Sequence, residues 1–177
     1  PVYLVGHSMG GLIGALYLLE HQRELAGAVL SGPLVKMSDD LSPVVVLMGK
    51  LLSTLTPKAG LMALDAQGVS SDPAVVQAYV NDPLVYTGKM TARLAAELIK
   101  AVQRIQDEAA KITLPLLIVQ GSADKLVDPA GAKLLYDTVS SADKTLKIYE
   151  GFYHEVFNEP ERAQVLGDVE AWLEQRL

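Results

Sequence analysis

The chain opens on Pro1-Val2-Tyr3-Leu4-Val5-Gly6-His7-Ser8-Met9-Gly10-Gly11, and the architecture follows from this stretch. Val2–Val5 is a short apolar run suited to a strand, and Gly6 breaks it. From Met9 to Arg23 the apolar residues Leu12, Ile13, Leu16, Leu18 and Leu19 recur at helical spacing, closed by Glu20, Gln22, Arg23 and Glu24. Between strand and helix stands a G-x-S-x-G pattern, for which this composition gives roughly 0.06 chance matches. The position sharpens the signal. A serine on a sharp strand-to-helix turn is lifted clear of the sheet, and small residues on either side let strand and helix approach closely. The same turn puts the Met9 amide at a helix N-terminus, where it can donate to a developing oxyanion.

Strands and helices continue to alternate. Ala26–Leu30 reads as a second strand, ended by Ser31-Gly32-Pro33. Leu114–Gln120 is the most strand-like segment. Asp128-Pro129 predicts an N-cap followed by proline in the first helical turn, with a helix to about Val139. Thr145–Tyr149 is a fourth strand. Glu161–Arg176 is a terminal helix with a seam at Val165, Val169, Trp172 and Leu173. This order predicts an α/β fold with a parallel sheet of about four strands, right-handed crossovers and helices on both faces.

About eighty residues, 34–113, interrupt the rhythm. Pro43–Leu55 is apolar around most of its circumference, Asp72-Pro73 starts a short helix, and Met90, Leu94, Leu98, Val102, Ile105 and Ala109 form one helical stripe. The segment is expected to be a helical insertion, because a structureless loop of that length is improbable. The expected organisation is a core of residues 1–33 and 114–177 with a cap over residues 34–113.

Composition narrows the function. The chain has 177 residues, half of them hydrophobic and 20 % charged, so it holds material for one packed domain. Its formal net charge is −6, which argues against nucleic acid as a partner. It has no cysteine, so disulfides and thiol catalysis are out. With no apolar stretch of membrane-spanning length and no basic leader, a cytoplasmic location is expected.

A serine hydroxyl needs a base, and there are three histidines. Strand alternation predicts that His7 points away from Ser8, as a structural residue. His21 lies near a helix C-terminus, where a solvated or cationic role is expected. His154 follows the fourth strand in Glu150-Gly151-Phe152-Tyr153-His154, at the sheet edge where parallel sheets place function, and is the expected base. Asp124 follows the third strand in Gln120-Gly121-Ser122-Ala123-Asp124 and is the expected partner that orients the imidazole. Asp128 is engaged in capping.

Gly6–Gly11, Ser31-Gly32-Pro33-Leu34-Val35, Asn81-Asp82-Pro83-Leu84, Leu114–Asp137 and Lys144–Glu159 together resemble the monoacylglycerol lipase and lysophospholipase branch of the α/β-hydrolases, over essentially the whole chain. The chain order Ser…Asp…His is the order of those enzymes. The resemblance implies Ser8 as nucleophile, Asp124 as triad acid, His154 as base and Met9 as one oxyanion donor. It implies an ester or lipid substrate, with no cofactor and no metal, and a cap that receives the acyl chain. Leu47, Met48, Leu51, Leu52 and Val127 are the expected substrate contacts, and the apolar cap is a candidate for transient contact with a lipid surface.

The resemblance also implies early strands and a second oxyanion amide upstream of the elbow, which this sequence does not contain. Either a Met preceded Pro1 or the chain is the C-terminal part of a longer protein. As a free chain it would expose the elbow strand as a sheet edge, and pairing with a second copy is expected there.

Overall fold

The computed structural model describes residues 1–37, 49 and 51–177. Among the described residues six strands form: β1 (Tyr3–His7), β2 (Gly27–Ser31), β3 (Gly60–Ala63), β4 (Lys89–Thr91), β5 (Leu116–Gly121) and β6 (Lys144–Tyr149). The helices are α1 (Met9–His21), α2 (Pro73–Asn81), α3 (Ala92–Glu108), α4 (Ala130–Thr138) and α5 (Arg162–Glu174). β1, β2, β5 and β6 form one parallel sheet in that order, with Val5 opposite Val29, Val29 opposite Leu117 and Leu117 opposite Thr145.

Side-chain alternation divides the core between two faces. Ala28, Leu30, Leu116 and Ile118 pack with Leu12, Ala15 and Leu18 of α1, Val102 and Ile105 of α3, and Leu135 of α4. Val29, Leu117 and Val119 point the other way, onto Val156, Val165 and Trp172. Both faces of β2 and β5 are covered, which explains their unbroken hydrophobicity. β1 is the outer strand of the four on one side, and Val2 and Val5 are 64 % and 63 % exposed.

The described part of residues 34–113 differs from the all-helical segment expected there. Within it β3 and β4 pair antiparallel, and α2 starts where Asp72 accepts the Ala74 amide at 2.8 Å. The stripe of α3 enters the same core as α1 rather than standing apart from the body. In α1, Ile13 is exposed instead of buried, because Leu12, Ala15 and Leu18 take the face toward the sheet. Asp128 does accept the Ala130 amide at 2.9 Å, but the regular helix begins one residue past Pro129. Among the described residues no helix is long and apolar enough to cross a membrane.

Candidate active site

Ser8 occupies the turn between β1 and α1 with φ 56° and ψ −121°, the one positive φ outside glycine among the described residues. A β-carbon in that region carries steric cost, and such strain persists only where the surroundings enforce it. The enforcement is visible. The Ser8 amide donates to Ser31 O at 2.9 Å, and Ser8 O accepts from Leu12 N at 3.2 Å and from Leu34 N at 3.2 Å. Gly6 is required at the crossing, since a Cβ there would lie 2.5 Å from Gly10 O. The Ser8 side chain does not cap α1. Met9 begins α1, so its amide has no acceptor within the helix and stays available beside the serine.

Asp124 and His154 sit on the loops after β5 and β6. Those loops are joined by backbone bonds, Ser122 N to Tyr149 O and Ala123 N to Phe152 O, both 2.9 Å. His154 Nδ1 lies 2.7 Å from Asp124 Oδ2, and both residues are buried. A carboxylate can only accept, so Nδ1 carries a proton, and in the neutral imidazole the lone pair is on Nε2. Asp124 Oδ1 accepts from Leu126 N at 2.8 Å and Val127 N at 3.0 Å. Burial would push the Asp124 carboxyl up. The hydrogen bond and charge of His154 and the two amides outweigh it, and the group is held below its ordinary value.

The imidazole of His154 lies against the end of β2. A Cβ on Gly32 would come within 3.2 Å of its Cε1 and 3.3 Å of its Nδ1, and Gly32 has φ +49°. Ser31, the neighbour of Gly32, holds the Ser8 amide. Ser8, Asp124 and His154 thus lie just past the C-terminal ends of β1, β5 and β6, with the end of β2 against both Ser8 and His154.

One sequence expectation changes here. His7 does not point away from the site. Its ring centroid is 4.7 Å from that of His154, and its Nδ1 is 3.2 Å from Ser31 Oγ on the neighbouring strand. Strand alternation fails as a guide because Ser8 leaves the strand with a positive φ. Burial, and then the adjacent His154, hold the His7 pKa below the usual imidazole value, which favours its neutral form. His21 stacks on Tyr17 and meets Glu24 on the exposed surface, away from the site. Of the expected substrate contacts, Leu47 and Met48 lie outside the described residues. Leu51 is 52 % exposed and Leu52 half-buried in the helical stretch 51–55. Val127 is buried, and its amide supports Asp124.

Gln120 was not singled out by sequence reasoning, since it reads as the end of a buried strand. Its Nε2 donates to Asp124 Oδ2 at 2.8 Å and to Gly121 O at 3.2 Å, and these two acceptors fix which end of the amide is nitrogen. Its Oε1 is buried with no partner among the described residues. Gln120→Met should lower kcat/KM about tenfold, the worth of a hydrogen bond to a charged group. Stability should change by less than about 1 kcal/mol, because the substitution also removes the unpaired oxygen. Ester kinetics with urea unfolding check both, and unchanged kinetics would remove Gln120 from the acid's support.

A parallel sheet that turns into a helix at a strained serine, with an Asp–His pair on the loops of two later strands, has the layout of an α/β-hydrolase. Residues 1–161 match the family Hydrolase_4, described as serine aminopeptidase, S33, and the chain belongs to that family. The monoacylglycerol lipase of Mycolicibacterium smegmatis is 47 % identical over 98 % of this chain and 62 % of its own length. The human monoglyceride lipase is 39 % identical over 99 % of this chain and 59 % of its own. The chain therefore spans about three fifths of the length of these curated relatives. Among solved structures, the monoacylglycerol lipase of Paleococcus ferrophilus superposes with a TM-score of 0.91 at 30 % identity, covering 99 % of this chain and 68 % of that one. A soluble variant of the monoglyceride lipase of Saccharomyces cerevisiae, in complex with a substrate analog, gives 0.86 at 27 % identity, covering 99 % and 62 %. These similarities place the chain in the monoacylglycerol lipase branch of the fold.

Proposed function

We propose that the chain carries the catalytic centre of a serine carboxylic-ester hydrolase acting on monoacylglycerols and similar acyl esters. The buried Asp124–His154 pair, set against the strand end that holds Ser8, is the observation that carries the reading. His154 Nε2 takes the proton of Ser8 as Oγ attacks the ester carbonyl. The Met9 amide binds the oxyanion. Collapse expels the alcohol, protonated by His154, and leaves an acyl group on Ser8. Water, deprotonated by His154, then releases the fatty acid and restores the serine. Asp124 holds the imidazole in the required tautomer and stabilises its cation.

The insertion, residues 34–113, is read as the cap over this site, with Leu51, Leu52 and Val127 toward the acyl chain. Exposed Leu55, Met62, Leu64, Leu84 and Tyr86 support contact between this segment and a lipid surface. An apolar acyl slot discriminates weakly, by about 1–3 kcal/mol per methylene. Incubation with monoacylglycerols of graded chain length should therefore release fatty acid and glycerol over a broad range of lengths. Amide cleavage of aminoacyl anilides, with none of the glycerol esters hydrolysed, would contradict the ester assignment.

A further inference from the structure

Glu159 lies five residues past His154 and is 1 % exposed. Its carboxylate forms no ion pair among the described residues; uncharged donors hold it instead. Oε1 accepts from Ser71 N at 2.8 Å and, at 3.4 Å, from Tyr153 N, while Oε2 accepts from the Ser71 hydroxyl. Burying a carboxylate without a counter-ion is costly, and the bonds it makes must be strong enough to offset that cost. These donors come from two places, the insertion at Ser71 and the residue immediately before His154.

The surrounding contacts join the same two segments. Glu155 N donates to Val69 O at 2.8 Å, His154 N to Gly68 O at 3.5 Å, and Ser70 Oγ to Asn158 O at 3.4 Å. Gly68 also faces the acid's loop, since a Cβ there would stand 2.7 Å from Leu126 Cδ2, and the Leu126 amide holds Asp124. Residues 68–71 thus touch both the base-bearing and the acid-bearing loop. Among the described residues the His154 ring makes one hydrogen bond, with Asp124, so the aim of Nε2 depends on where the loop backbone is held.

We propose that Glu159 is a positioning residue, a buried carboxylate that fastens the His154 loop to residues 68–71 of the insertion and so fixes the imidazole. The role rests on the assignment of His154 as the base. Glu159→Ala removes the fastening. Glu159→Gln preserves most of it, because the amide oxygen can accept from Ser71 N and Tyr153 N while the amide nitrogen donates to Ser71 Oγ.

The test combines hydrogen exchange with the rate of fluorophosphonate labelling of Ser8. Glu159→Ala should speed exchange at 68–71 and 153–156 at least tenfold, leave β5 unchanged, and slow labelling at least tenfold. Glu159→Gln should bring both within threefold of the parent. Ser71→Ala removes one donor outside the sheet core and should slow labelling about threefold, which keeps the test open if Glu159→Ala does not fold. Parent-like labelling in both Glu159→Ala and Ser71→Ala would overturn the proposal, and so would Glu159→Gln as slow as Glu159→Ala. His154→Ala labelled at the parent rate would instead overturn the base assignment, while exchange at these amides still reports the fastening.

Discussion

Ser8→Ala should abolish ester turnover, lowering kcat for p-nitrophenyl acyl esters by at least about 10⁴-fold, and should remove covalent labelling by a fluorophosphonate. The size follows from losing the nucleophile of a unit whose members act together. Removing one member of such a unit costs nearly as much as removing all of them, and oxyanion binding alone sustains only a small residue of rate. The fold should survive. Ser8 contributes its backbone to the turn through Ser31, Leu12 and Leu34, and the hydroxyl does not cap α1. Alanine still has to adopt φ 56°, a strain the parent already carries. Labelling of the alanine variant at the parent's rate would show that the reactive group lies elsewhere.

Asp124→Asn should lower kcat about 10⁴-fold while leaving the fold intact, as expected when the acid of a triad is replaced by its amide. The reason can be read atom by atom. Oδ1 of Asp124 accepts two backbone amides, so the carbonyl of the variant must remain there. The new NH₂ then faces His154 Nδ1 and donates to it. That locks the imidazole in the tautomer with the proton on Nε2, which cannot accept a proton from Ser8. Gln120 can turn its amide so that the oxygen accepts from the new NH₂, giving up its bond to Gly121 O.

The same substitution also changes the response to acid. The Asp124 carboxyl is held below its ordinary value of 3.8 in the folded chain. Its contribution to stability is therefore present above that value and lost as pH falls through the lower, folded value. The variant lacks this contribution, so its thermal midpoint should fall less than the parent's on the acid side. Activity near the parent's level would remove Asp124 from the catalytic centre.

The sheet was legible because its strands are short apolar runs with glycine or proline at their ends, each followed by a helix signal. The three proposed catalytic residues were legible because each stands just past such a run, in a fixed order along the chain. What escaped notice depends on contacts distant in sequence. Gln120 reads as one more residue of a buried strand, and only the fold shows that its amide reaches Asp124. Alternation along β1 directs His7 away from Ser8, but the strand ends at a residue with positive φ and the His7 ring lies beside His154. β3 and β4 are short, and their paired residues lie 26 and 31 positions apart, so no local pattern announces them. The stripe on α3 was visible, but not that it would join the core built on α1, because periodicity gives a face without its partner.

The most direct measurement is a crystal structure of the chain after reaction with a fluorophosphonate. Phosphorus bonded to Ser8 Oγ, its oxygen accepting the Met9 amide, and His154 Nε2 within about 2.6–3.2 Å of a phosphonyl or serine oxygen is the predicted result. Phosphorus on any other side chain, or an adduct on Ser8 with the His154 ring turned away from it, would contradict the shared site proposed for these three residues.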